Sequence, residues 1–400
     1  MLLSPLPLLL LALTLPLVII LKPLLHHLFH THLPLRRFPS ATPCSWLIPS
    51  SFYHFFLAPH LPSTAGAADS HSSSSPAFRT RLLHAAHYPA TTTTTTTNDN
   101  TTQRQPIPVP VLRTGPTTLS FASPAAIPAI YGHASSRSFC AKGPLYTALG
   151  GAPQQNAHQH TNVLHVVDRA SHATKRRRLA HGFSLRQAEG DAWQGKIEAE
   201  VGVMLDAGSD TTAIALANIM FFLLKNPATF SKLREELDNA LPADTIIPSY
   251  ASVKQLPYLR ACLDESLRLI PPVSMGLSRI TPSEVGVPAY TAHRDPSLFP
   301  DPEEYRPERW LGDKTSEMQA AFIPFSAGSR GCIGRNITYL EQTVLIATLV
   351  RRYDFELPSP DWELEREEAF NVWPGSMPLK IKLRPEWEKD QSILAESLER

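Results

Sequence analysis

The sequence predicts a mainly α-helical fold with small β-sheets, its core concentrated in the second half of the chain. Three observations carry this. Residues 198–224 form one long apolar run of helical length. Leu256, Leu259, Leu263 and Leu267 recur at the three- and four-residue spacing of a helix face. The stretch 109–122 sets β-branched residues around a Gly-Pro turn, the pattern of a hairpin.

The composition bounds the function. With 400 residues, 43% of them apolar, the chain is long enough for one large domain or two modest ones. A formal net charge of +1 excludes a globally basic nucleic-acid binder and an acidic solvating tail. Four cysteines, at 44, 140, 262 and 332, make neither a disulfide framework nor a zinc cluster. Fifteen of the 16 histidines lie in residues 1–181, so the chain joins two different compositions.

From the N-terminus, residues 2–21 are uncharged and about as long as a membrane-spanning helix. The positive charges follow the run, at Lys22, Arg36 and Arg37, which predicts an uncleaved anchor (1–24) with the bulk of the chain cytosolic. A signal peptide or a buried helix is the rival reading. A linker follows (25–60), then a Ser/Thr/His/Pro-rich stretch (61–106) that lacks the apolar residues needed to order itself. After the hairpin, Ala125–Tyr131 opens a short helix behind Pro124. The basic run Lys175–Arg178 reads as a solvated helix face or, alternatively, a nucleic-acid patch.

The long helix ends at Asn226-Pro227, and a second is expected over 228–240. Inside the long one, Ala207-Gly208-Ser209-Asp210-Thr211-Thr212 lowers helix propensity and weakens the hydrogen-bond ladder. This is either a plain kink or a place where a small ligand meets polar groups. Glu265 and Arg268, three apart on the next helix, share a face; alone they read as an ordinary surface pair.

Phe325-Ser-Ala-Gly328-Ser-Arg330-Gly-Cys332-Ile-Gly334 is a tight loop, too rich in Gly and Ser for helix or strand. Ile333, Ile337, Leu340, Val344 and Ala347 then give a helical stripe, so Cys332 sits at a helix N-terminus that favours a thiolate. Gly328 and Gly334 let the backbone approach a flat ligand, and Arg330 offers a charge to an anionic group. A lone buried cysteine is the bland alternative.

This loop resembles the haem-binding loop of the cytochrome P450 family, and other motifs follow in that family's order. Ala207–Thr212 resembles its oxygen-activating segment, Glu265-x-x-Arg268 its Glu-x-x-Arg motif, and Pro307–Trp310 the segment giving the second arginine. The wording of residues 130–133 and 290–295 is most similar to fungal microsomal members. The resemblance implies a P450-like fold with heme b held by Cys332 as iron ligand. Phe325 would shield the sulfur, with Gly328 and Gly334 beside it. Arg330, Arg279 and Arg176 would pair with the haem propionates, although His172 stands where the family commonly has Trp. Glu265, Arg268 and Arg309 would form a buried network fixing the loop, while Asp210 and Thr211 would handle protons. The implied activity is that of a monooxygenase acting on a small hydrophobic substrate. It would sit in the endoplasmic reticulum membrane, be fed by an NADPH–cytochrome P450 reductase, and have no nucleic-acid partner.

The pattern breaks in three places. Only about thirty residues separate Arg176 from Ala207, with 185–196 reading as a junction, where the family has several helices. Residues 282–286 are short, and 61–105 have no counterpart. The expected domains are therefore an N-terminal part (107–184) and a haem-binding core (197–384) of an incomplete fold, with a C-terminal tail (385–400). Two other functions follow: a truncated remnant that binds haem weakly or not at all, and a thiolate-haem isomerase or dehydratase.

Overall fold

The computed structural model describes residues 111–114, 118–132, 140–143, 145–146, 162–180, 194–281, 283–312 and 315–387. The anchor, the linker, the low-complexity stretch, most of the 185–196 junction and the end of the C-terminal tail lie outside the described residues. The chain divides into two compact units: Met1–Gly143 with Met275–Ala292, and Pro144–Ser274 with His293–Arg400.

The first unit is a five-stranded sheet. Strands β1 (Val111–Arg113) and β2 (Thr118–Phe121) pair antiparallel, Val111 opposite Phe121, as the Gly-Pro turn requires. A 3-10 turn at Pro124–Ala126, capped by the Ser123 hydroxyl, leads into helix α1 (Ile127–Tyr131). The sheet order is β1-β2-β5-β4-β3, completed by β3 (Ala141–Lys142), β4 (Arg279–Ile280) and β5 (Glu284–Gly286). The short stretch near residue 282 closes as a β4–β5 hairpin, Arg279 opposite Val285, while β5 also runs parallel to β2. Tyr131 locks α1 down: its hydroxyl accepts from the Val287 amide at 2.9 Å and lies 2.9 Å from the Leu277 carbonyl.

The second unit is helical. Helix α2 (Arg169–Leu179) is capped by Asp168, whose carboxylate accepts from the Ser171 amide at 2.7 Å. Helix α3 (Gln194–Lys225) is continuous and begins inside the stretch expected to be a junction. The weakened ladder expected at 207–212 is absent: helix propagates through it from a well-anchored C-terminal half. Asn226 breaks the helix, and Pro227 occupies the first turn of α4 (Pro227–Ala240), where its missing N–H costs nothing. Short α5 (Tyr250–Val253) and then α6 (Pro257–Leu269) follow. After α7 (Ala289–Ala292, in the first unit), the second unit resumes with a 3-10 turn at Pro307–Trp310 and with α8 (Ser316–Ala321). Helix α9 (Arg335–Arg352) and two two-stranded sheets complete it: β6 (Tyr353–Glu356) with β9 (Lys380–Leu383), and β7 (Arg366–Glu368) with β8 (Val372–Pro374).

The core of this unit gathers Ile219 and Leu223 of α3, Leu233 and Leu237 of α4, Leu259, Leu263 and Leu267 of α6, and Ile346 and Val350 of α9. The leucine stripe of α6 therefore faces inward as its spacing requires, although Asp264, Glu265 and Arg268 are buried with it. The stripe on α9 needs correction. Ala347 is buried and Val344 packs against the core as expected, but Ile337 is exposed, and the buried face also takes in Tyr339, Thr343, Ile346 and Val350. Val201–Lys225 is also long and apolar enough to cross a membrane, but its C-terminal half is spent on this core.

Candidate functional site

Glu265 is the hub of the second unit. Its side chain is fully buried and accepts from Arg268 through both oxygens, each at 2.9 Å, in a bidentate pair. Arg309 Nε donates to Oε1 at 2.9 Å. Two further donors were not evident in the sequence: the Trp310 indole N–H at 2.8 Å and the Arg306 amide at 3.0 Å. The surface-pair reading fails here, because the side chains of Glu265 and Arg268 are both 0% exposed. Burial pushes the Arg268 guanidinium below its ordinary value and Glu265 pulls it back. Arg268 Nη1 donates to the carbonyls of His293 and Pro302, and Nη2 also to that of Glu304, tying α6 to the segment after α7.

His293 passes this order on. Its Nε2 accepts from the Ile323 amide at 2.8 Å, which places the ring proton on Nδ1, 3.1 Å from the Arg268 carbonyl. Complete burial holds the imidazole down at about 3, so it stays neutral. Two residues beyond Ile323, the Phe325 carbonyl accepts from the Cys332 amide at 2.8 Å. A chain of polar contacts thus runs from Glu265 to the cysteine loop.

Within that loop Ser326 and Gly328 take left-handed conformations, φ 58° and 67°, on either side of a sharp turn. Residues Gly328–Arg330 form one 3-10 turn closed by Gly331 N–H on the Gly328 carbonyl. Cys332 lies just ahead of α9, whose N-cap is Gly334, and a β-carbon on Gly334 would stand 3.8 Å from the sulfur. Among the described cysteines only Cys332 is exposed; Cys140 and Cys262 are buried. The amides of Gly334 and Arg335 and the charges of Arg176 and Arg335 favour its thiolate. Burial of the thiol outweighs them and raises it above its ordinary value, while the helix-end amides act in the expected direction.

Arg176 leaves the solvated face expected of the basic run. It is half-buried, and its Nη1 donates to the Gly331 carbonyl at 2.6 Å. Arg330 Nη2 reaches the Val167 carbonyl at 3.4 Å. Phe325 packs at 5.2 Å against the Tyr339 ring. Arg279 belongs to the first unit, where its buried guanidinium lies 4.8 Å from the Tyr131 ring and donates to the Ser278 carbonyl. On α3, the Thr211 hydroxyl donates to the Ala207 carbonyl at 2.6 Å, and Asp210 is half-buried beside it.

One sulfur donor, amides aimed at it, a glycine-built turn and two guanidiniums at the same loop fit a haem: a thiolate for iron and cations for acidic side chains. The family comparison decides the matter, since the model of the cytochrome P450 family matches residues 154–382, more than half of the chain. The chain belongs to the cytochrome P450 family. It is 34% identical over 250 residues to the cytochrome P450 monooxygenase tpeC of Talaromyces stipitatus, covering 58% of this chain and 49% of that protein. It is 35% identical over 207 residues to the benzoate 4-monooxygenase bphA of Aspergillus niger, covering 47% and 40%. It is 36% identical over 198 residues to the pisatin demethylase of Fusarium vanettenii, covering 46% and 39%. The matched regions thus span about half the length of these P450 relatives or less.

Proposed function

We propose that the chain is a haem-thiolate monooxygenase that inserts one oxygen atom of O2 into a small hydrophobic substrate, the other leaving as water, with NADPH as the electron source. The observation that carries this is Cys332 on a glycine-built loop fixed to the Glu265 network through His293 and Phe325. Heme b bound there supplies the redox chemistry of oxygen activation. Cys332 would hold the iron, Phe325 would limit water at the sulfur, and Gly328 and Gly334 would keep the approach free of side chains. Arg176 and Arg330 would pair with the propionates. The Thr211 hydroxyl would pass protons near the Ala207 carbonyl, with Asp210 as the adjoining carboxylate. The N-terminal apolar run would anchor the protein in the endoplasmic reticulum, and a membrane-bound NADPH–cytochrome P450 reductase would deliver electrons.

The test is the absorption of the reduced, carbon monoxide-bound protein, which reports a thiolate ligand. Cys332→Ala should abolish that signal. Thr211→Ala should keep it but raise NADPH consumption relative to product. Absence of the signal from haem-loaded protein refutes the reading.

One observation favours a second reading, a haem protein of low affinity and low turnover. Only about thirty residues separate Arg176 from Ala207, and the matched regions span about half the length of the P450 relatives or less, which leaves less protein to cover this part of α3. A site left open to water along this helix face weakens electrostatic interactions inside it and lets activated oxygen escape unproductively. Full, stable haem loading with tightly coupled NADPH use would exclude it.

A further inference from the structure

Beside the cysteine loop, but not lined by Cys332, the second unit holds a cleft of about 350 Å³ bordered by α6, the 319–326 segment and the first turns of α9. We propose that this cleft, which shares Phe325 and Arg335 with the cysteine loop but not Cys332 itself, binds a small aromatic carboxylate. Its volume lies at the lower end of the range of ligand pockets. Two tilted rings form one wall, Phe325 and Tyr339, with centroids 5.2 Å apart. A flat apolar body packs against such rings at little cost in conformational freedom.

The charges set the sign of the ligand. Arg260 and Arg335 both line the cleft, and Asp264 is its one carboxylate among the lining residues. That carboxylate is already engaged: Oδ2 accepts from Arg260 Nε at 2.9 Å, and Oδ1 from the Tyr339 hydroxyl at 2.7 Å. Arg260 in turn lies 3.7 Å over the Tyr339 ring. Arg335 is different. It is exposed, approaches the Phe325 and Tyr339 ring centroids at 6.0 and 5.9 Å, and pairs with no carboxylate among the described residues. Its planar fork accepts a carboxylate in bidentate fashion. The Ser326 hydroxyl, buried with no hydrogen-bond partner among the described residues, belongs to a residue that borders the same cleft.

The test uses the full chain and 2-naphthoate as probe, with binding read by titration calorimetry. Arg335→Gln should weaken binding about tenfold or more, the size of one lost charge-assisted pair, as should replacing the probe by the neutral 2-naphthamide. Gln319→Phe, which fills the cleft without altering charge, should abolish binding. Thr211→Ala should leave the affinity unchanged. Equal binding of acid and amide, no response to either cleft variant, or a loss in Thr211→Ala matching that in Arg335→Gln would overturn the proposal. The last outcome places the probe on α3 instead. Unfolding midpoints of all variants separate a lost site from a lost fold.

Discussion

Helix α3 passes through two environments. Beyond Thr211 it is part of the core: Ile214 is 1% exposed, Ile219 and Leu223 0%, and the Arg366 guanidinium reaches in to Asn218 at 2.8 Å. Before it, Val201 is 44% and Leu205 65% exposed, and Ala207, Gly208 and Ser209 lie open. The open half carries the residues of poorest helix propensity, and it also carries the oxygen-segment resemblance. It stays helical because the buried half nucleates it and each added residue then closes one more hydrogen bond. The Ser209 and Thr211 hydroxyls use their own bonding capacity locally, on the Leu205 and Ala207 carbonyls, both at 2.6 Å. The difference teaches where stability and chemistry reside: the framework around Glu265 is over-determined, while the helix face assigned to oxygen chemistry is held by one end.

Breaking the framework should have the largest effect. Glu265→Ala leaves Arg268 and Arg309, whose side chains are 0% and 5% exposed, without their carboxylate. A loss of about 3–5 kcal/mol in denaturant unfolding is expected, as for other buried pairs stripped of one partner. On α3 itself, Ile219→Ala should cost about 2–5 kcal/mol by opening a cavity. Leu205→Ala, four turns back on the open half, should stay within about 0.5 kcal/mol. Equal costs at the two positions would mean that the open half is covered in solution.

The pH dependence probes the link between framework and loop. The folded protein keeps His293 neutral down to about 3, whereas an unfolded histidine takes up its proton near 6.5. Because the unfolded state binds the extra proton, this residue's contribution is fully present above about pH 6.5. It is lost as pH falls toward 3, by about 1.4 kcal/mol per pH unit. His293→Gln should flatten the stability profile of the chain over that window, measured by urea unfolding at a series of pH values. An unchanged slope would show that the imidazole is not held as the Ile323 and Arg268 contacts require.

Much of this architecture was legible in the sequence because it rests on local signals. Asn226-Pro227 marks the boundary between two helices, the leucine spacing of α6 marks a buried face, and the glycines around Cys332 mark a turn. What was not legible depends on tertiary partners. Nothing local shows that Trp310 and the Arg306 amide complete the shell of Glu265, or that His293 bridges Arg268 to Ile323. The resemblance marked Pro307–Trp310 for its arginine and 290–295 only for its wording. The stripe on α9 was legible in part: Val344 and Ala347 meet the core, but Ile337 is as apolar as Ile346 and periodicity could not place it on the exposed side. The thiol of Cys332 likewise answers to the protein packed around it as well as to the helix end.

The smallest expected effect tests the open half directly. Gly208 sits in mid-helix with nothing within 4 Å of an added β-carbon, so no clash opposes alanine there. Glycine in a helix costs about 0.5–1 kcal/mol relative to alanine, chiefly through the backbone freedom it surrenders on folding. Gly208→Ala should therefore stabilise the chain by up to about that amount, a gain that a buried glycine in contact with its neighbours would not give. If the helix face is where oxygen and substrate are handled, the same methyl should reduce coupled turnover, because it narrows the space beside the Thr211 hydroxyl. Stability and activity would then move in opposite directions in one variant, read by urea unfolding and by the ratio of product to NADPH consumed. A stabilised variant with unchanged coupling would separate Gly208 from the chemistry. A destabilised one would show that another part of the protein rests on this face, and that the two halves of α3 are alike after all.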